Sequence, residues 1–153
     1  MLEPQRAQMD KSRGSRSLAL LVLAAALCCL LLSPGAARAQ EDLDALLQRL
    51  PGESPFGRYK VIELIGDLGT QEAIRALVGF FPDEDLRWMA VRQVSQLKAA
   101  AVPALLEALR ATDADTVRFA AYTLGEIRAA QAVPALIPLL ADPDPTVQGA
   151  AVR

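Results

Sequence analysis

Apolar side chains return along this chain in two alternating stripes, each at helical spacing. Ile74, Leu77, Val78 and Phe81 fall at i, i+3, i+4 and i+7. Val102, Leu105, Leu106 and Leu109 repeat that spacing, and Val133, Leu136, Ile137 and Leu140 repeat it again. Such positions share one face of a helix. A second stripe alternates with the first: Val61, Ile62, Ile65 and Leu68, then Ala90, Val91, Val94 and Leu97, then Ala120, Ala121, Leu124 and Ile127. Ala150 and Ala151 begin a fourth copy. The pattern predicts pairs of amphipathic helices. No single pair can bury both stripes, so neighbouring pairs must stack. Strand signals are nearly absent.

Self-comparison gives the period. VPALL at 102–106 returns as VPALI at 133–137, a spacing of 31, and residues 65–85 align without a gap on 124–144. A period near 30 marks a solenoid. The punctuation agrees with it. Asp83-x-Asp85, Asp113-x-Asp115 and Asp142-x-Asp144 recur ahead of first helices. Aspartate there accepts orphan backbone N–H bonds and suits the positive end of the helix dipole. Pro103 and Pro134 open second helices and Pro145 a first one, where a missing N–H costs nothing. Pro138 lies deeper and removes a helical bond or bends its helix. Gly66, Ser95 and Gly125 are small enough to let helices approach. Arg87 and Arg118, 31 apart, are placed to bond acidic groups of the adjacent repeat.

The N-terminal segment reads differently. Leu18 to Leu32 is fifteen residues without a charge, preceded by Arg6, Lys11, Arg13 and Arg16 and followed by Ala37-Arg38-Ala39. A basic region, a short apolar core and an Ala-x-Ala site describe a secretory signal peptide over residues 1–39, cleaved after Ala39. A span of hydrocarbon needs about 20 apolar residues, and Pro34-Gly35 cuts this run short. The alternative is an uncleaved anchor that tethers the chain to a membrane. Translation from Met9 would give a leader of more usual length. Residues 40–54 then form a lead-in helix, Glu41 to Leu50, and a loop, and 55–153 the repeat domain. The expected location is periplasmic or extracellular.

The repeat closely resembles HEAT repeats, in particular the short class named after phycobilisome lyases. The matching residues are Asp115-Thr-Val117-Arg118-x-Ala120-Ala121-x-x-Leu124-Gly125-x-Ile127, then Ala132-Val133-Pro134-Ala135-Leu136-Ile137-x-Leu139-Leu140-x-Asp142. The resemblance implies an all-α solenoid of about three helical hairpins plus a terminal half-repeat. It also implies a scaffold for a protein partner, with second helices lining the binding face; here that face carries Arg75, Glu107 and Arg110. Trp88, Phe119 and Tyr122 are candidate partner-binding aromatics or fillers between hairpins. Some relatives act on tetrapyrroles, so the enzymatic alternative is a lyase-like accessory protein acting on a protein-bound chromophore. Others are di-iron hydroxylases that bind metal through His-Glu pairs, for which this chain has no matching position.

Composition narrows the chemistry. The chain has no histidine, and its two cysteines, Cys28 and Cys29, both lie in the N-terminal apolar run. Nucleophilic triads lack their base, and zinc and haem lack their usual ligands. Glu63, Asp67 and Glu126 lie on first helices, but no feature pairs any two of them for acid–base work. The reading is therefore of a non-enzyme with no catalytic, cofactor or metal site. The net charge is −2, with no basic tract, which makes nucleic acid a poor partner. After Ala39 sixteen acidic residues face eleven basic ones. Finally, the apolar end at Ala150, Ala151 and Val152 lacks the polar cap of a solenoid. The expectation is either a fragment or self-association through that end.

Overall fold

Side-chain caps begin four of the helices among the described residues. The computed structural model describes residues 34–152, without the side chains of Pro34 and Ala36; the expected signal core Leu18–Leu32 and the basic residues ahead of it lie outside the described residues. The first helix, α1 (Pro34–Arg49), starts earlier than the lead-in helix expected at Glu41. Proline suits a first helical position, and Ala36, Ala37 and Ala39 are the strongest helix formers. Leu43 and Leu50 are buried, with Leu46 and Leu47 packed beside them. After a 3-10 turn, Leu50–Gly52, the Ser54 hydroxyl accepts the Gly57 N–H at 3.1 Å and starts α2 (Pro55–Leu68). Gly69 at φ 62 closes α2, and Thr70 caps α3 (Gln71–Val78) through the Ala73 N–H at 3.2 Å.

The second hairpin is α4 (Arg87–Gln96) and α5 (Val102–Ala108), joined by a 3-10 turn at Lys98–Ala101. The third is α6 (Ala114–Glu126) and α7 (Val133–Leu136), and a lone first helix, α8 (Pro145–Ala151), follows. This is the expected all-α stack of three hairpins plus a half-repeat, with no strand among the described residues. First helices α2, α4, α6 and α8 touch in order, α3 touches α5, and α3 and α5 each pack on the first helix of the following hairpin. The side chains between these two layers form one core. Val61, Ile62, Ile65, Ile74, Leu77, Phe81, Val94, Leu105 and Leu124 are all fully buried within it. Each contributes roughly 1.5–3 kcal/mol of burial before entropy is charged against it. Gly66 permits one of the close approaches, since a Cβ there would meet Gln93 Oε1 at 2.9 Å.

Three details differ from the sequence expectation. Val133, Ile137 and Leu140, expected in the core, are exposed around an open cavity that Ala151 and Val152 also line. Pro138 does more than bend its helix: α7 stops after one turn, and Ile137–Ala141 continues as a 3-10 helix. The third is the closing of the first helices. Gly69 is left-handed, as glycine allows, but Lys98 (φ 50) and Arg128 (φ 53) take the same place in the next two repeats. A side chain with a Cβ is disfavoured there. A cation at a helix C-terminus interacts well with the dipole, which offsets part of that cost.

Candidate functional site

The repeat junctions place charged groups in register. In each Asp-x-Asp pair at least one carboxylate accepts backbone N–H groups; in the third, Asp142 Oδ1 also accepts the Asp144 N–H at 2.9 Å. Asp83 Oδ1 accepts the Asp85 and Leu86 N–H groups at 2.9 and 3.1 Å. Asp113 Oδ2 accepts the N–H and the hydroxyl of Thr116, both at 2.7 Å. Before α8 the cap moves to the second aspartate, because Pro145 fixes the helix start: Asp144 Oδ1 accepts the Thr146 N–H at 2.8 Å and its hydroxyl at 2.7 Å. The threonine hydroxyls, and after them the backbone N–H groups, hold the Asp113 and Asp144 carboxyls below the ordinary value of 3.8.

Arginines at the starts of first helices reach forward to these junctions. Arg58 lies 4.0 Å from Asp85, and Arg87 Nη2 donates to Asp115 Oδ2 at 3.2 Å. Asp115 also holds Arg118 of its own helix at 2.6 Å. The expected bonding of Arg87 to the adjacent repeat is therefore present, while Arg118 turns back to its own junction. Both guanidinium groups sit over the Phe119 ring, at 5.0 and 4.5 Å from its centroid. Phe119 is buried and meets Phe81 edge-on at 6.4 Å, so it fills the space between hairpins.

Trp88 behaves differently. It is 57% exposed, yet its ring is pinned edge-on against Phe119 at 5.2 Å and Tyr122 at 5.9 Å. Two cavities open beside it on the first-helix layer. One, of about 510 Å³, is lined by Arg87, Arg118, Phe119 and the α8 residues Thr146, Gly149 and Ala150. The other, of about 470 Å³, is lined by Val91, Arg92, Ser95, Gln96, Lys98 and Glu126. Trp88 and Tyr122 border both.

The second-helix face, expected to bind a partner, is partly self-satisfied. Arg75 Nε donates to Glu107 Oε2 at 3.2 Å across α3 and α5, and Glu72 stands 4.0 Å from the same guanidinium. Arg110 is exposed just beyond α5. The structure thus joins Arg75 to Glu107 on one layer and leaves Trp88 on the other. Arg92 and Lys98, which flank Trp88, were not singled out by the sequence. The available signal was that Arg92 lies four residues after Trp88, on the same helical face. A third cavity, of about 570 Å³, opens at the α7–α8 end among Leu124, Val133, Ile137, Leu140 and Val152.

Residues 43–123 and 102–153 match the family described as HEAT repeats. The two matches overlap across α5 and most of α6 and together cover every hairpin. No curated protein matches the chain.

Proposed function

The chain belongs to the HEAT-repeat family, and from that premise we propose that it is an exported, non-catalytic scaffold that holds a protein partner on its helical hairpins. Repeats of this kind mediate protein–protein interaction by offering a rigid, extended surface. The observation that carries the reading is Trp88: a large aromatic ring held fixed by its neighbours but left open to solvent. Ordered, exposed tryptophans are among the commonest anchors of protein interfaces. Export rests on the basic-apolar-Ala-x-Ala order of residues 1–39, and cleavage after Ala39 would leave the apolar face of α1, Leu43 to Leu50, in place. Within the family the repeats fit the short class named after phycobilisome lyases. No residue is assigned a lyase role.

The test is expression of the tagged chain in its source cell, followed by fractionation and native capture. The expected product begins at Gln40, lies outside the cytoplasm and carries a stoichiometric protein partner. A product in the cytoplasm, or one that retains the leader in the membrane, would overturn the export reading. A bound coloured tetrapyrrole would overturn the scaffold reading in favour of the lyase-like alternative.

A second reading concerns the α7–α8 end. Val133, Ile137, Leu140 and Val152 are exposed around an apolar cavity, and this favours self-association of the 153-residue chain. Size-exclusion chromatography tests it: Ile137→Glu shifts a dimer to a monomer, whereas a monomeric parent chain ends the idea.

A further inference from the structure

The groove past Trp88 has a charge opposite to that of the chain around it. We propose that it is the docking site for an acidic, extended segment of a protein partner, with one apolar side chain of that segment seated on the Trp88–Tyr122 pair. This rests on the scaffold reading and specifies the chemistry of its partner.

Three observations carry it. Continuity comes first. The two cavities share Trp88 and Tyr122 and adjoin along α4 and α6, one of them reaching α8, and we take them as one groove. From Trp88 to Gln96, just before Lys98, the helix rises about 12 Å, which takes about four residues of extended chain. The floor is apolar, with Val91, Phe119 and Ala150 between the helices. Rigidity comes second. Edge-to-face contacts with Phe119 and Tyr122 hold Trp88 in place, so little side-chain freedom is lost when it is covered.

Charge comes third and selects the partner. The groove is lined by Arg87 and Arg118 at one end and by Arg92 and Lys98 at the other, with Glu126 the one carboxylate among the lining residues. Asp115 engages Arg87 and Arg118. Among the described residues neither Arg92 nor Lys98 is in an ion pair. A chain of net charge −2 therefore gathers cations, two of them outside any ion pair, around an exposed tryptophan. A peptide with carboxylates on both sides of an apolar residue complements that order: cation, aromatic shelf, cation. Nucleic acid fits it less well, because the cations stand in one short groove and the chain has no basic tract for a phosphate backbone to follow.

Trp88 is the only tryptophan, so its emission reports the groove directly. The purified full chain is titrated with three probes: a nonapeptide of glutamates around a central leucine, the same peptide with lysines, and a nonamer of thymidylate. The acidic peptide should shift and saturate the Trp88 emission with a Kd below about 1 mM. The effect should weaken when salt rises from about 50 to 500 mM. The Arg92→Glu, Lys98→Glu double variant should bind at least roughly tenfold more weakly with an unchanged helical circular dichroism spectrum. No response to the acidic peptide, an equal response to the lysine peptide, or preference for the thymidylate would each overturn the proposal. Native capture separates it from the broader reading. If the Trp88→Ala variant still captures the partner of the parent chain, the groove is wrong and the scaffold stands. If the parent chain captures none, the scaffold reading itself fails.

Discussion

Arg87 and Asp115 bridge the second and third hairpins, with Nη2 donating to Oδ2 at 3.2 Å. Arg87 is only 12% exposed, and it also donates to the Pro82 carbonyl at 2.8 Å. The bridge therefore differs from a surface ion pair, which contributes about 0–1 kcal/mol. Asp115 holds Arg118 from its other oxygen at 2.6 Å, so one carboxylate orients both cations that flank Phe119. Arg58 and Asp85 occupy the same places one junction earlier at 4.0 Å. The hairpins are thus keyed by charge as well as by apolar contact.

Removing the shared carboxylate should show this. Asp115→Ala is expected to cost about 1–2 kcal/mol, because it takes the carboxylate from a nearly buried guanidinium and leaves it only the Pro82 carbonyl. Arg118→Ala should cost less than Asp115→Ala, since the Arg87 bridge survives. Urea denaturation of the single and double variants measures both, and additivity within about 0.5 kcal/mol would count against a shared site.

Acid should weaken the helix starts. Asp113 and Asp144 titrate below 3.8 in the folded chain, chiefly through the Thr116 and Thr146 hydroxyls. A lowered carboxyl pKa adds stability that is complete above the unfolded value and is lost as pH falls through the folded one. Thermal stability should accordingly be flat in these groups above about pH 5 and decline below about pH 4. Asparagine caps a helix without titrating, so the Asp113→Asn, Asp144→Asn variant should have a shallower acid limb. An identical limb in the parent and the variant would show that these two caps do not set it.

The left-handed helix ends invite a stabilising change. Arg128 has φ 53, a region that costs a residue with a Cβ about 1–2 kcal/mol. Arg128→Gly removes that cost and gives up a cation at the end of α6. The net expected gain is about 0.5–1 kcal/mol, read as a rise of a few degrees in Tm. A fall in Tm would mean that the charge outweighs the backbone.

Core and open end should respond in opposite ways to truncation. Leu105 is fully buried, and Leu105→Ala should cost about 2–5 kcal/mol. Ile137 occupies an equally apolar stripe but is exposed, so Ile137→Ala should cost less than about 1 kcal/mol in the monomer. Paired denaturation curves at low protein concentration test this.

Periodicity made the stack readable before any coordinates. Ile74, Leu77 and Leu105 fall where spacing puts them, and Asp113 and Asp144 cap their helices, while Asp83 bonds N–H groups of the turn ahead of α4. Spacing reports which residues share a face; it does not report what lies opposite. Val133 and Ile137 carry the stripe of Val102 and Leu106, yet differ in burial: the earlier pair lies on α5, which packs on α6 of the next hairpin, and the later pair faces an open cavity. Glycine marked the left-handed turn at Gly69, whereas Lys98 and Arg128 adopt the same backbone with no sequence mark. At the candidate site, sequence singled out Arg75, Glu107, Arg110 and Trp88. The first two turned out to neutralise each other across α3 and α5. The surroundings of Trp88 came from three helices at once, beyond what a single helical face reveals.

The short α7 has a mechanical consequence. Proline at 138 leaves the third hairpin with four α-helical residues in its second arm, and those that follow hold only 3-10 bonds. A stack whose cohesion is passed from neighbour to neighbour then loosens from this side first. Amides from 133 to 141 should then exchange with solvent ahead of those in α2 to α5.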